Sequence, residues 1–339
     1  MRASLNISLD EERLKRLTQL LSHVSVPKEA ESSDHGEAWS LGQLELANAY
    51  FAIVAICHQT SPIGERRLEG VVSSGAKYGW NYLKERFLER AIRQPDWTKP
   101  AFWARVSPKT LSQLYADDGY GLTLNRVNER AYLLNDIGAR LVEERFTHLH
   151  EAFLRCNSTL GGDTGFLEYL RGFEAYSDPV RKKAAFFTSI AVTQCDWKAS
   201  DFDCLESPVD YHELRGHLRL GTVRILDQYL ESKVRMGLTL TGAEDIELRR
   251  VVQRANSFIA TNAKLTASVV HYLFWNVFRY CCPRESDQTH CTSCGPNCKL
   301  PRQYKDMTIY KSRCLFSDVC ESAGASDKVT EPAYMGHYY

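Results

Sequence analysis

Apolar residues recur at helical spacing along most of this chain. The first such segment begins with a Ser8–Glu11 capping box, and Leu14, Leu17 and Leu21 then fall on one face of a helix. Residues 40–59 become apolar on all sides, which is typical of a buried central helix. The sequence shows no sustained apolar/polar alternation of the kind that strands produce. This pattern predicts an all-α fold built from many packed helices.

The same periodicity places several further helices and suggests a domain organisation. Helices are predicted near residues 166–173, 180–194, 211–231, 243–261 and 266–280. We expect an N-terminal helix and linker (1–35), a helical domain of two packed lobes with a cleft (36–280), a cysteine-rich segment (281–320) and a loose polar tail (321–339).

Composition narrows the class of protein. Lys and Arg together number 42, as do Asp and Glu, so the formal net charge is zero. Proteins that bind the backbone of duplex DNA usually carry a basic excess, although a local basic patch is compatible with this balance. The N-terminus has no apolar signal core, and the longest apolar run, Ala49–Cys57, is too short to span a bilayer. We therefore expect a cytoplasmic protein without a membrane segment.

Cysteines are concentrated near the C-terminus, where seven of the eleven fall between residues 281 and 320. Cytoplasmic cysteines rarely form disulfides, whereas a Cys-x-x-Cys pair in a turn directs two thiolates at one metal ion. Four thiolates suit either a structural Zn²⁺ or a [4Fe-4S] cluster. Free, reduced thiols are the alternative. The predicted ligands, separated by eight, two and three residues, are Cys282, Cys291, Cys294 and Cys298.

Three stretches together resemble the helix-hairpin-helix DNA glycosylases. AICHQTSPIGERRLEGVV (residues 55–72) resembles the segment in which a Gln after a short turn reaches the base. PVDYHELRGHLR (208–219) is similar to the catalytic segment, where Val-Asp-x-His opens a helix. The cysteine loop looks like the iron–sulfur loop of the endonuclease III branch. That loop has six, two and five intervening residues, so the departure here leaves iron–sulfur and zinc both open.

A closer resemblance, scattered but collinear from about Leu44 to Phe316, is to the queuosine 5′-phosphate N-glycosylase/hydrolase family of queuosine salvage proteins. LTLNRVNERAYLLNDIGARLVEERF, RKKAAFF and VDYHELRGHLRLG look like its helix motifs. The resemblance implies a DNA-glycosylase-like helical fold. It also implies an N-glycosidase that hydrolyses the base–ribose bond of a purine or 7-deazapurine nucleotide without a diffusible cofactor. The cysteine loop departs from this family's pattern.

The resemblance assigns chemistry to two residues. Cleavage of an N-glycosidic bond builds positive charge on the sugar, which a carboxylate stabilises, attacks or helps water to attack. Asp210 is the candidate for this role. The sequence alone favours a helix cap at this position, and the resemblance favours the catalytic role, which a capping residue can also perform. Lys182 matches a lysine that anchors phosphate in the salvage family and can form a Schiff base in the DNA glycosylases. A solvated basic turn is the alternative for Lys182.

Further residues are candidates for contact with substrate, each with a structural alternative. Gln59 and His58 could equally belong to a polar loop, and Trp80 lies on an apolar stripe that favours the core. Aromatic faces bind bases by stacking. The predicted binding residues are Gln59, His58, Tyr211, His212, Trp80 and Arg181. We expect Glu129 and Arg130 to form a buried salt bridge that braces their helix.

Two other functions remain open on the sequence. An 8-oxoguanine-type DNA glycosylase would flip a damaged base into the same pocket. The metal loop favours this function, whereas net neutrality and the absence of a Gly-x-Gly hairpin in SDPVRKKAA disfavour it. A non-catalytic nucleotide-binding module would keep Lys182 and the aromatics, and the presence of Asp210 weighs against it. The expected partner is a small nucleotide or modified base, with nucleic acid as the alternative.

Overall fold

The computed structural model describes residues 5–24, 26, 39–285, 300–301, 304, 313–326 and 328–338. Its helices, in chain order, are α1 (Glu11–Ser22), α2 (Gln43–Ala55), α3 (Gly79–Arg93), α4 (Pro100–Trp103), α5 (Pro108–Tyr115), α6 (Val127–Glu143), α7 (Leu149–Arg155), α8 (Phe166–Arg171), α9 (Lys182–Gln194), α10 (Tyr211–Leu220), α11 (Gln228–Arg235), α12 (Gly242–Ala263) and α13 (Ala267–Tyr280). The strands are β1 (Ile7–Leu9), β2 (Glu69–Val72), β3 (Gly75–Tyr78), β4 (Ala116–Asp117), β5 (Gly121–Leu122) and β6 (Val223–Ile225). Helix makes up 54% of the structure, which confirms the all-α class.

The described residues form two compact units. One unit contains those of 1–36 and 205–335, and the other those of 37–204 and 336–339. No helix in the described ranges is both long and apolar enough to cross a bilayer.

In the first unit α12 is the central helix, and α1, α10 and α13 pack against it. Leu14, Leu17 and Leu21 of α1 are buried, as the periodicity predicts. The predicted Ser8–Glu11 capping box is wrong. Ser8 instead pairs with Arg224 in the antiparallel β1–β6 ladder, and the N-cap of α1 is Asp10.

The helix predicted over residues 211–231 is also interrupted. Gly221 ends α10 in the left-handed conformation, with φ of 76°, which glycine adopts at little cost. Residues Val223–Ile225 then pair with β1, and Asp227 caps the new helix α11 by accepting a hydrogen bond from the Leu230 amide. The break makes α10 a short helix that begins after its N-cap, Asp210, and ends at Leu220.

In the second unit α2 is the central helix, contacted by α3, α6, α7 and α9. Every residue of α2 from Leu46 to Ala55 is buried, which confirms the predicted central helix. Its Phe51 ring stacks on Tyr176 at 4.7 Å and lies edge-on to Phe187 of α9 at 5.3 Å. This aromatic core holds α9 against α2.

Helices α4 and α6 approach closely at Gly138, the glycine of the NERAYLLNDIG stretch. A Cβ at this position would lie 2.3 Å from the backbone nitrogen of Ala104, a distance that atoms do not tolerate. The contact fixes the orientation of α6, whose first turn carries Glu129 and Arg130.

Candidate functional site

The structure brings the predicted site residues together in two groups, one in each unit. Asp210, Tyr211 and His212 belong to the unit of residues 205–335, around the N-terminus of α10. The other unit contains His58, Gln59, Trp80, Arg181 and Lys182.

Asp210 is the N-cap of α10, and its side chain is buried. Its Oδ1 accepts hydrogen bonds from the backbone amides of His212 at 2.8 Å and Glu213 at 3.2 Å. Glu213 Oε2 in turn accepts from the Asp210 amide at 3.2 Å, which completes a capping box. The prediction that Asp210 caps its helix is thereby confirmed. A carboxylate offers about four acceptor positions, so capping is compatible with a second role.

Beneath this cap lies a buried network centred on Glu213. Its Oε1 accepts from Asn256 Nδ2 at 2.9 Å, and its Oε2 lies 3.0 Å from His271 Nδ1. Asn256 Oδ1 lies 2.8 Å from His217 Nε2, and burial lowers the pKa of His217 to about 4. His217 is therefore neutral at pH 7 and donates from Nε2. Each described contact of the network pairs a donor with an acceptor, which is what holds polar groups in a dry core.

His212 is held as a neutral ring in one tautomer. Burial, followed by the positive charge of Arg215, places the pKa of His212 well below its usual value. Its Nδ1 lies 2.8 Å from an Arg215 nitrogen, and because arginine only donates, Nδ1 accepts and Nε2 carries the hydrogen. Arg215 is itself fixed by a buried ion pair with Glu331 at 2.6 Å. Burial, with a smaller contribution from Asp210, raises the pKa of Tyr211 to about 12. The side chains of Tyr211 and His212 are therefore both neutral at pH 7.

In the other unit Lys182 lies at the first position of α9 and is 9% exposed. Its Nζ is 3.8 Å from Cys57 Sγ and 5.2 Å from the centre of the Phe186 ring. Trp80 packs edge-on against Phe186 at 5.0 Å. Trp80 and Phe186 are only partly buried, so Trp80 is not simply a core residue. An ammonium group and two aromatic faces therefore lie side by side.

The turn before α9 uses its amides internally. Asp178 Oδ1 accepts from the Val180 amide at 3.1 Å, and its Oδ2 accepts from the Lys182 amide at 3.0 Å. Arg181 caps α9 in the left-handed conformation and pairs with Glu168 at 3.6 Å. The Val180 and Lys182 amides at the start of α9 are thus bonded within the chain.

Arg130 holds the segment after α2, which includes His58. The Arg130 guanidinium donates to the carbonyl oxygens of Ile56, His58 and Asn125. The predicted Glu129–Arg130 salt bridge is not the bracing interaction, because Glu129 pairs instead with Arg126 at 2.5 Å. Successive residues of a helix point in different directions, so neighbours in sequence rarely pair.

Three of the non-glycine residues with positive φ lie at or beside these positions. Gln59, Arg126 and Arg181 all adopt positive φ, at 50°, 51° and 56°. Non-glycine residues adopt this conformation at a cost, and such positions cluster at functional sites. Arg126 and His337 were not among the site residues predicted from the sequence. The only signal for them is their spatial proximity to Glu129, which the sequence does not reveal.

Only one of the four predicted metal ligands lies in the described part of the chain. Cys282 is buried, and its Sγ lies 3.2 Å from an Arg219 nitrogen. Cys291, Cys294 and Cys298 lie outside the described residues. Among the residues that are described, no three His, Cys, Asp or Glu side chains are grouped as metal ligands. The zinc or iron–sulfur site stays a prediction.

No protein-family model matches this chain, and no curated protein matches it significantly. The resemblance to nucleotide and DNA glycosylases therefore rests on the sequence motifs. Since a fold does not by itself imply an activity, function has to be argued from the chemistry of the two groups of residues.

Proposed function

We propose that this chain is an N-glycosidase that hydrolyses the base–ribose bond of a purine or 7-deazapurine nucleotide, with Asp210 as its catalytic carboxylate. The observation that carries the proposal is the burial of Asp210 at the N-terminus of α10, beside the neutral side chains of Tyr211 and His212. A buried carboxylate stabilises developing positive charge more strongly than one in water.

The chemistry of the proposed reaction needs only a carboxylate and water. As the bond to the base breaks, positive charge spreads over C1′ and O4′ of the ribose, and the base leaves with the bonding electron pair. Asp210 stabilises that cation, water then adds to C1′, and the proton that the water loses neutralises the departing base. The amides of His212 and Glu213 donate to Asp210 Oδ1 and fix the orientation of the carboxylate.

Considered within its own unit, the group around Lys182 has the chemistry that binds a nucleotide rather than a bare nucleoside. Its ammonium suits a phosphate, and the faces of Trp80 and Phe186 suit a base. Arg181, at the same helix N-terminus, adds positive charge.

The hydrogen bonds of Asp178 before α9 support a small substrate over duplex DNA. Asp178 already accepts from the Val180 and Lys182 amides, and its negative charge would repel a DNA phosphate at that place. The zero net charge agrees with this preference. The cysteine loop enters the proposal only as a structural metal site for Zn²⁺ or a [4Fe-4S] cluster, outside the reaction.

Base release tests the proposal directly. The purified chain is incubated with queuosine 5′-phosphate, with 7-deazaguanosine monophosphate and with a duplex containing 8-oxoguanine, and chromatography measures the free base. We expect release from a nucleotide, and a loss of about a hundredfold or more in Asp210→Asn. Asn caps helices about as well as Asp, so the free energy of unfolding should change by less than about 1 kcal/mol.

Asp227→Asn is the matched control, because Asp227 caps α11 through the same kind of hydrogen bond. It should keep full activity. Full turnover by Asp210→Asn would remove Asp210 from the mechanism, and release from the duplex alone would indicate a DNA glycosylase. Nucleotide binding without any base release would indicate a binding module.

A further inference from the structure

Three polar side chains of one unit meet around a single oxygen atom. Glu129 Oε1 lies 3.7 Å from His58 Nε2 and 3.7 Å from His337 Nδ1. Both distances exceed a hydrogen bond. His58 is fully buried, and within the described part of the chain neither of its ring nitrogens, nor Glu129 Oε1, has a hydrogen-bond partner. Buried polar atoms without partners are rare and call for an explanation.

His337 comes from the far end of the chain and is held in place. Arg126 donates to the carbonyl oxygen of Gly336 at 3.0 Å, and His337 Nε2 lies 3.0 Å from the carbonyl oxygen of Glu174. A carbonyl only accepts, so His337 Nε2 carries the hydrogen. Burial lowers the pKa of His337, which leaves a neutral ring whose Nδ1 is an acceptor. That lone pair faces Glu129 Oε1, which is also an acceptor.

We propose that His58, Glu129 and His337 form a ligand subsite for a neutral, donor-rich group of the nucleotide, with residues 336–338 as one of its walls. The subsite rests on the proposed function. Two acceptors 3.7 Å apart repel each other unless a donor lies between them. A nitrogen or oxygen about 2.8–2.9 Å from each would satisfy both. Neutral His58 adds one donor and one acceptor.

The charges around the subsite favour a neutral ligand. Arg130 and Arg126 are cations whose positive charge, after burial, lowers the pKa of His58. The same cations would repel a metal ion, and a phosphate would meet the Glu129 carboxylate. Two parts of a guanine-type nucleotide have the required chemistry. They are the base edge, with its ring N–H and exocyclic amine, and the ribose diol.

The backbone adopts positive φ next to two of these groups. Gln59, directly after His58, has φ of 50°, and Arg126, which begins the helix that carries Glu129, has φ of 51°. Strain of this kind persists where the surrounding structure fixes the backbone, so the chain next to His58 and at the start of α6 is held in place.

Binding separates this proposal from the catalytic one. Isothermal titration calorimetry in the Asp210→Asn background, where the ligand survives, compares guanosine, inosine and 2′-deoxyguanosine 5′-monophosphates. Inosine lacks the exocyclic amine, and the deoxynucleotide lacks one hydroxyl. Adding Glu129→Gln should weaken guanosine monophosphate binding about tenfold, since one unpaired buried donor costs about that much. Arg126 will attract the oxygen of the introduced amide and leave the amide NH₂ facing the ligand's donors.

A ligand that lacks the group contacted by Glu129 should lose the least affinity when Glu129 is replaced by Gln. The least affected ligand therefore shows whether Glu129 contacts the base edge or the ribose diol. Glu144→Gln is the control, because Glu144 is the C-cap of the same helix and pairs with Arg155. His337→Phe, which keeps a ring but removes the acceptor, should weaken binding in the same ligand-dependent way. Unchanged affinities in both variants overturn the subsite alone. Failure of all three nucleotides to bind the Asp210→Asn protein overturns the nucleotide proposal with it.

Discussion

Asp210 and Glu213 cap each other at the start of α10. Asp210 Oδ1 accepts the amide hydrogen of Glu213, and Glu213 Oε2 accepts the amide hydrogen of Asp210, each at 3.2 Å. His271 holds the same Glu213 oxygen at 3.0 Å from below. The position of Asp210 therefore depends on a residue three positions later, and through it on α13.

Glu213→Gln should destabilise the protein by about 2–3 kcal/mol. Every described partner of the Glu213 carboxylate is a donor: the Asp210 amide, Ser207, Asn256 and His271. An NH₂ group in place of one oxygen would face a donor inside the core, which leaves both groups unsatisfied. Urea unfolding measures the loss.

Glu244→Gln provides the comparison, because Glu244 occupies the same capping-box position in α12 and also accepts from a backbone amide. The Glu244 side chain is 12% exposed and that of Glu213 is 0% exposed. Water can therefore replace a lost partner of Glu244, and we expect a cost of about 1 kcal/mol or less. Equal losses in the two variants would show that the Glu213 network adds nothing beyond capping.

Lys182→Met should show whether Lys182 binds the phosphate of the substrate. If Lys182 Nζ pairs with the nucleotide phosphate, its loss should weaken binding of the 5′-monophosphate about tenfold and leave the nucleoside nearly unaffected. Met keeps much of the apolar stem against Phe186. Titration calorimetry with both ligands makes the measurement. Lys99→Met, at an exposed ion pair with Asp96, should change neither affinity.

Helical periodicity predicted the elements well where burial decides them. The all-apolar segment around Phe51 is the central helix of its unit, and the Asp210 position is an N-cap, because both follow from local sequence. The break of the predicted long helix at Gly221 was missed, since a glycine inside a periodic segment has two interpretations. Contacts between residues far apart in the chain could not be predicted from the sequence. Nothing in the tail's composition indicates that Glu331 pairs with Arg215, or that His337 approaches Glu129.

The cysteine spacing makes its own prediction. The purified chain should contain about one zinc ion per molecule or absorb near 400 nm as a [4Fe-4S] cluster does, and metal analysis with visible spectroscopy distinguishes the two. Cys294→Ser should lose the metal and lower the free energy of unfolding, because four-thiolate sites stabilise folded structure. Cys195→Ser is the control, a buried cysteine outside the loop. Full stability and no metal in the unmodified chain would favour free thiols.

Stability should rise with pH because of Lys183. Its Nζ is fully buried against the carbonyl oxygen of Ala55, and burial lowers its pKa from 10.5 to about 7. Between these two values the unfolded chain binds a proton that the folded chain does not. The free energy of unfolding therefore gains up to about 1.4 kcal/mol for each pH unit in this window, and the penalty for burying the charge is complete below pH 7. Lys183→Met should abolish that contribution. Urea unfolding of both proteins between pH 7 and pH 9 tests it, with the exposed Lys198→Met as control. A constant difference between the wild-type and Lys183→Met proteins across this range would show that Lys183 stays charged in the folded protein.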